Sequence, residues 1–220
     1  MKKAISKTQS MLNVWAIVLI MWSVYRAKFQ LPEFIDELIA KPFVFLLPVY
    51  LYIKNTEKKD FAPAVWLTTT KLFSNIYLSF FIGAIFALSA LMANYGKFGT
   101  FSFGETLSSA TTQSLVLAIV IALFTAFCEE VVSRGFVLKR LYEESGNAYT
   151  SSFLASVLFL ILHIPILLTN LKLTGSVLIW FMATDFILSL ICSFIFLSRR
   201  SLVPPILIHA LYNLSIILYI

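Results

Sequence analysis

Residues 115–134 read LVLAIVIALFTAFCEEVVSR, an uncharged apolar run to Cys128 that ends in two glutamates and, four residues later, an arginine. An apolar run of this length predicts a helix that faces hydrocarbon, and we expect it to continue past the run toward residue 142. Similar apolar runs recur along the whole chain. The predicted spans are residues 11–26, 38–54, 72–94, 108–128, 150–169, 173–198 and 202–219, of which the second is interrupted by Pro42 and Pro48.

The composition supports a membrane protein. Hydrophobic residues make up 60% of the 220 residues and charged residues only 13%, with a mean hydropathy of +0.89, whereas a soluble domain has roughly a quarter of its residues charged. We therefore predict an all-α polytopic helix bundle with about seven transmembrane helices, six to eight, in a lipid bilayer. The net charge of +6 does not indicate nucleic-acid binding, because the lysines and arginines lie in short clusters between apolar runs.

The positive charges also predict an orientation. If seven spans alternate from an N-terminus on the inner side, most of the 17 lysines and arginines lie inside. The exceptions are Arg26, Lys28, Lys41, Lys97 and Lys172. Because positive charge is enriched on the cytoplasmic side of membrane proteins, the N-terminus is predicted to lie inside.

Ionisable residues within predicted spans are few, and each needs a reason because they are costly in lipid. Glu130 and Arg134 are four residues apart and can pair on one helix face. Glu129 points in a different direction, so we interpret it as the freer carboxylate and a candidate proton acceptor. The alternative is that these charges only fix helix packing.

The chain contains two histidines, and both lie in apolar runs. His163 follows Phe159 by four residues and precedes Pro165, while His209 precedes Asn213 by four residues. Each pair shares a helix face, and each alternatively fits a polar clamp between helices. Counted along the helices, Glu129, His163 and His209 reach a similar depth in the inner half of the bilayer, as one shared site requires.

Asp185 lies near the middle of the sixth predicted span. We favour a packing role for it over a role in the site.

At these positions the chain resembles the CAAX protease and bacteriocin-processing family of intramembrane peptidases, also called ABI domains. That family carries the motifs EExxxR, FxxxH and HxxxN on successive helices. The matching residues here are Glu129, Glu130, Arg134, Phe159, His163, His209 and Asn213. The resemblance implies a catalytic core over residues 105–220 and a variable N-terminal part over residues 1–104, within one membrane domain.

The resemblance implies a CAAX-type intramembrane endopeptidase in which Glu129 activates water, His163 positions it and His209 with Asn213 stabilises the oxyanion. Glu130, Arg134 and Phe159 would support these groups. No cofactor is required in this scheme. The alternative is a single Zn²⁺ held by Glu129, His163 and His209.

The expected substrate is a membrane-anchored or amphipathic peptide, and the expected location is the bacterial cytoplasmic membrane. One alternative is a non-catalytic bacteriocin-immunity or peptide-binding membrane protein that uses the same cavity. Another is a proton-coupled transporter, although no inverted repeat supports it.

Overall fold

The computed structural model describes residues 6–29, 31–99, 111–169 and 175–219, and these residues are helical apart from short connections. The helices are α1 (Lys7–Lys28), α2 (Glu33–Glu57), the short α3 (Phe61–Ala64), α4 (Leu72–Phe98), α5 (Thr112–Ser145), α6 (Ala148–Thr169), α7 (Gly175–Arg199) and α8 (Val203–Tyr219). No strand occurs in the described ranges. The predicted all-α fold is confirmed.

Five helices within the described ranges are long and apolar enough to cross a membrane. They are Lys7–Lys28, Leu72–Met92, Thr112–Ser145, Ala148–Leu167 and Leu178–Arg199, and the shorter Val203–Ile217 is also apolar. Large apolar side chains such as Ile20, Phe73, Tyr77 and Trp180 are more than half exposed on the outside of the bundle, as expected for a surface that lipid covers. The protein is an integral membrane protein.

The second predicted span forms α2, but this helix is irregular. It contains π-helical turns at Asp36–Ala40, Pro42–Leu46 and Ile53–Glu57. Pro42 and Pro48 have no N–H to donate to the preceding turn, which explains the interruption of regular α-helical bonding at the first two of these turns. Another π-helical segment, Val131–Leu138, follows Glu130 directly within α5.

Close helix packing positions the polar motifs. α8 packs against α4 and α5, while α6 packs against α1 and α7. Gly135 of α5 lies against the loop after α3, where an added Cβ would lie 2.8 Å from Val65 Cβ and 3.2 Å from the Val65 carbonyl oxygen. The absence of a side chain at Gly135 therefore allows the turn that follows Glu129 and Glu130 to approach this loop.

Candidate active site

Glu129 of α5 faces both histidines of the chain. Its Oε2 atom lies 3.7 Å from His163 Nε2 on α6 and 3.5 Å from His209 Nε2 on α8. Glu129 and His209 are buried, and the His163 side chain is 15% exposed. Three helices thus bring together the three side chains predicted to share one site.

The other ring nitrogen of each histidine has a protein acceptor. His163 Nδ1 lies 3.0 Å from the Phe159 carbonyl oxygen, and His209 Nδ1 lies 2.8 Å from Glu130 Oε1. Because a carbonyl and a carboxylate accept hydrogen bonds, both Nδ1 atoms act as donors. In the neutral rings, each Nε2 then presents a lone pair toward Glu129, so a molecule between them must donate protons or be a cation.

Glu130 and Arg134 form the predicted ion pair at 2.8 Å, and both are fully buried. Phe159 packs beneath this group: the Arg134 guanidinium lies 4.6 Å from its ring centroid, and the imidazole centroids of His163 and His209 lie at 4.5 and 5.8 Å. Phe159 therefore contacts both imidazoles, Glu130 binds His209, and Arg134 contacts Glu130 and Phe159.

Asn213 lies one turn beyond His209 on α8 and is partly exposed. Its side chain makes no hydrogen bond with any residue in the described part of the chain. The Asn213 amide therefore lies on the same helix as His209 but is not hydrogen-bonded to the Glu129 cluster. Its predicted contact with an oxyanion stays a prediction.

Glu129 is not the free carboxylate that the sequence suggested. Lys41 Nζ on α2 lies 2.8 Å from Glu129 Oε1 and also pairs with Glu37, one turn earlier on α2. The predicted alternation of spans put Lys41 at the outer membrane surface, but it is 3% exposed in the interior. The pattern Asp36-Glu37-x-x-x-Lys41 at the start of a predicted span was the signal that could have identified this residue.

Asp185 also lies closer to the site than expected. Its Oδ2 atom is 3.6 Å from His163 Nδ1, and the residue is 2% exposed. A packing role for Asp185 was favoured over a role in the site, but this position lets it stabilise a charge on the His163 ring.

The fit of a metal can be tested on the donor groups themselves. No group of three or more His, Cys, Asp or Glu side chains in the described residues is arranged to hold a metal ion. The ammonium of Lys41 moreover lies against one oxygen of Glu129. The charge of Lys41 weakens the attraction of Glu129 for a divalent cation.

One comparison with known proteins covers the part of the chain that contains Glu129, His163 and His209. Residues 110–215 match the model of the family described as type II CAAX prenyl endopeptidase Rce1-like. The matched region covers nearly half of the chain and contains all three motifs, and it is similar to this family of CAAX endopeptidases. No curated protein and no solved structure matches the chain.

Proposed function

We propose that this protein hydrolyses a peptide bond in a membrane-anchored or amphipathic peptide, with Glu129, His163, His209 and Asn213 as the catalytic residues. The proposal is carried by one observation: in the buried interior, Glu129 Oε2 lies within 3.7 Å of the Nε2 atoms of both histidines. The family supports a protease in general. The residue roles below are inferred from the hydrogen bonds of each group.

The two histidines differ in the acceptor at Nδ1, and this difference suits different roles. A carbonyl holds His163 Nδ1–H, so neutral His163 can accept a hydrogen bond from water through Nε2. A carboxylate, Glu130, holds His209 Nδ1. When His209 carries both protons, Glu130 accepts the Nδ1 hydrogen bond and Nε2–H is available to an oxyanion.

In the proposed reaction, Glu129 Oε2 takes a proton from the water as the water oxygen attacks the peptide carbonyl carbon. The carbonyl oxygen becomes an oxyanion, which accepts hydrogen bonds from His209 and from the Asn213 amide. When the C–N bond breaks, Glu129 returns its proton to the departing amine nitrogen. Every step uses side chains of this chain and one water molecule, so the proposal requires no metal.

The substrate and the location are also proposals. The family name indicates prenylated CAAX-type peptides as the first class to test. The predicted cytoplasmic N-terminus and inner-half site support cleavage near the cytoplasmic face of a bacterial membrane.

The decisive experiment uses the purified protein in nanodiscs with a panel of internally quenched membrane peptides that includes a farnesylated CAAX peptide. We expect Glu129→Gln and His163→Ala each to lower kcat by about 10²-fold or more, because each removes a group that acts on the attacking water. Glu143→Gln is the matched control, since Glu143 lies on the same helix and its side chain is 51% exposed.

Cleavage by Glu129→Gln at the wild-type rate would refute the catalytic proposal. If the wild type binds these peptides without cleaving any of them, the non-catalytic peptide-binding alternative replaces it.

A further inference from the structure

A buried ionic chain joins α2 to the candidate active site. Thr125 Oγ1 of α5 donates a hydrogen bond to Glu37 Oε2 at 2.6 Å, Glu37 pairs with Lys41, and Lys41 Nζ lies 2.8 Å from Glu129 Oε1. Glu37, Lys41 and Glu129 are each less than 10% exposed. Both α2 residues lie outside the 110–215 region that matches the family.

The buried ammonium of Lys41 is surrounded by aromatic rings and two carboxylates. The rings of Trp22 and Phe45 lie 5.4 and 5.9 Å from Nζ. These rings contact the ammonium and stabilise it through cation–π interactions. A buried lysine is retained only when its charge is compensated, and here the compensation comes from two carboxylates.

An ion pair that only holds α2 against α5 does not explain this arrangement. The Thr125–Glu37 hydrogen bond already joins α2 to α5, and Lys41 already has Glu37 as a partner within its own helix. The second contact of Lys41 goes to Glu129, the carboxylate that faces both imidazoles. That contact occupies Oε1 and leaves Oε2 turned toward the histidines.

We propose that Lys41 is a positioning residue of the active centre, held in place by Glu37, and that it fixes the Glu129 carboxylate with Oε2 toward the attacking water. This inference rests on the proposed function of Glu129. Glu37 has a distinct part in it: when Glu129 takes up the proton of the water, its negative charge disappears, and Glu37 keeps Lys41 paired until the proton leaves. A cation with two carboxylate partners therefore tolerates the protonation of one of them.

The test compares Lys41→Met and Lys41→Arg with Asp36→Asn as the matched control. Asp36 neighbours Glu37 on α2 and is also buried in an ion pair, but its partner is Arg26 at 2.6 Å and not Glu129. We expect Lys41→Met to lower kcat by about 10²-fold with KM changed less than about twofold, because it misdirects the base without touching substrate. Lys41→Arg retains a cation and is expected to keep more of kcat, and Asp36→Asn to keep nearly all of it.

Thermal unfolding of each variant in the same nanodiscs separates positioning from folding. A folded Lys41→Met protein with wild-type kcat overturns the inference, while an inactive Glu129→Gln protein beside it leaves the proposed function intact. If Lys41→Met does not fold, Lys41→Arg and Glu37→Gln decide: wild-type kcat in both folded variants rejects the positioning role. If the wild type cleaves no peptide of the panel, the proposed function fails, and this inference fails with it.

Discussion

Replacing Arg134 with methionine leaves Glu130 as a charge without its cation in the interior. The two groups lie 2.8 Å apart and are 0–1% exposed, and their attraction is about 6 kcal/mol at an effective dielectric constant of 20. Removing one partner of a buried pair typically costs about 3–5 kcal/mol. Because His209 still donates to Glu130, we expect the lower end, about 3 kcal/mol, or roughly a 150-fold shift in the unfolding equilibrium.

Reversible unfolding in mixed micelles, followed by tryptophan fluorescence, measures this loss. The double variant Arg134→Met/Glu130→Gln removes both charges and should be less destabilised than Arg134→Met alone. Lys54→Met is the control, because the Lys54–Asp60 pair is 3.7 Å long and mostly exposed, and such pairs contribute at most about 1 kcal/mol. An Arg134→Met protein as stable as the wild type, or a double variant less stable than the single one, would contradict this role of the buried pair.

Two further tests concern the packing of two glycines and the metal dependence of cleavage. Gly135→Ala should lower stability by about 1–3 kcal/mol, because its methyl group meets Val65 Cβ and backbone. Gly83→Ala should lose less in the same unfolding assay, because its methyl group mainly meets the side chain of Leu211. Dialysis against a metal chelator should leave peptide cleavage unchanged, since Lys41 already supplies a cation beside Glu129. Activity lost to the chelator and restored by added Zn²⁺ would contradict this expectation.

The helices were predictable because hydrophobicity alone defines them. The predicted spans 72–94, 150–169 and 173–198 correspond to α4 (Leu72–Phe98), α6 (Ala148–Thr169) and α7 (Gly175–Arg199). Lipid imposes the same requirement on every span: an apolar surface and internally satisfied backbone groups. Local sequence therefore determines where these three spans lie, and the structure differs from their predicted bounds only at the helix ends.

The convergence of Glu129, His163 and His209 was also predictable. Polar side chains in spans are costly in contact with lipid, so those at a similar depth are expected to face one another in the bundle interior. The contacts of Lys41 and Asp185 were not. Lys41 reaches Glu129 across 88 residues of sequence, and nothing in the local pattern of α2 specifies which helix packs against it. A lysine near the end of a predicted span is read as a surface anchor until tertiary packing shows that it faces inward.

The pairing of Lys41 with both Glu37 and Glu129 also bears on how this chain enters the bilayer during synthesis. Because Glu37 lies one turn before Lys41, α2 can insert with its cation already compensated by its own carboxylate. The ribosome makes α2 before α5, so a cation is in place by the time Glu129 leaves water. Insertion of α5, which carries Glu129, is then coupled to α2. Loss of Glu37 would leave Lys41 uncompensated during insertion and would lower the yield of assembled protein.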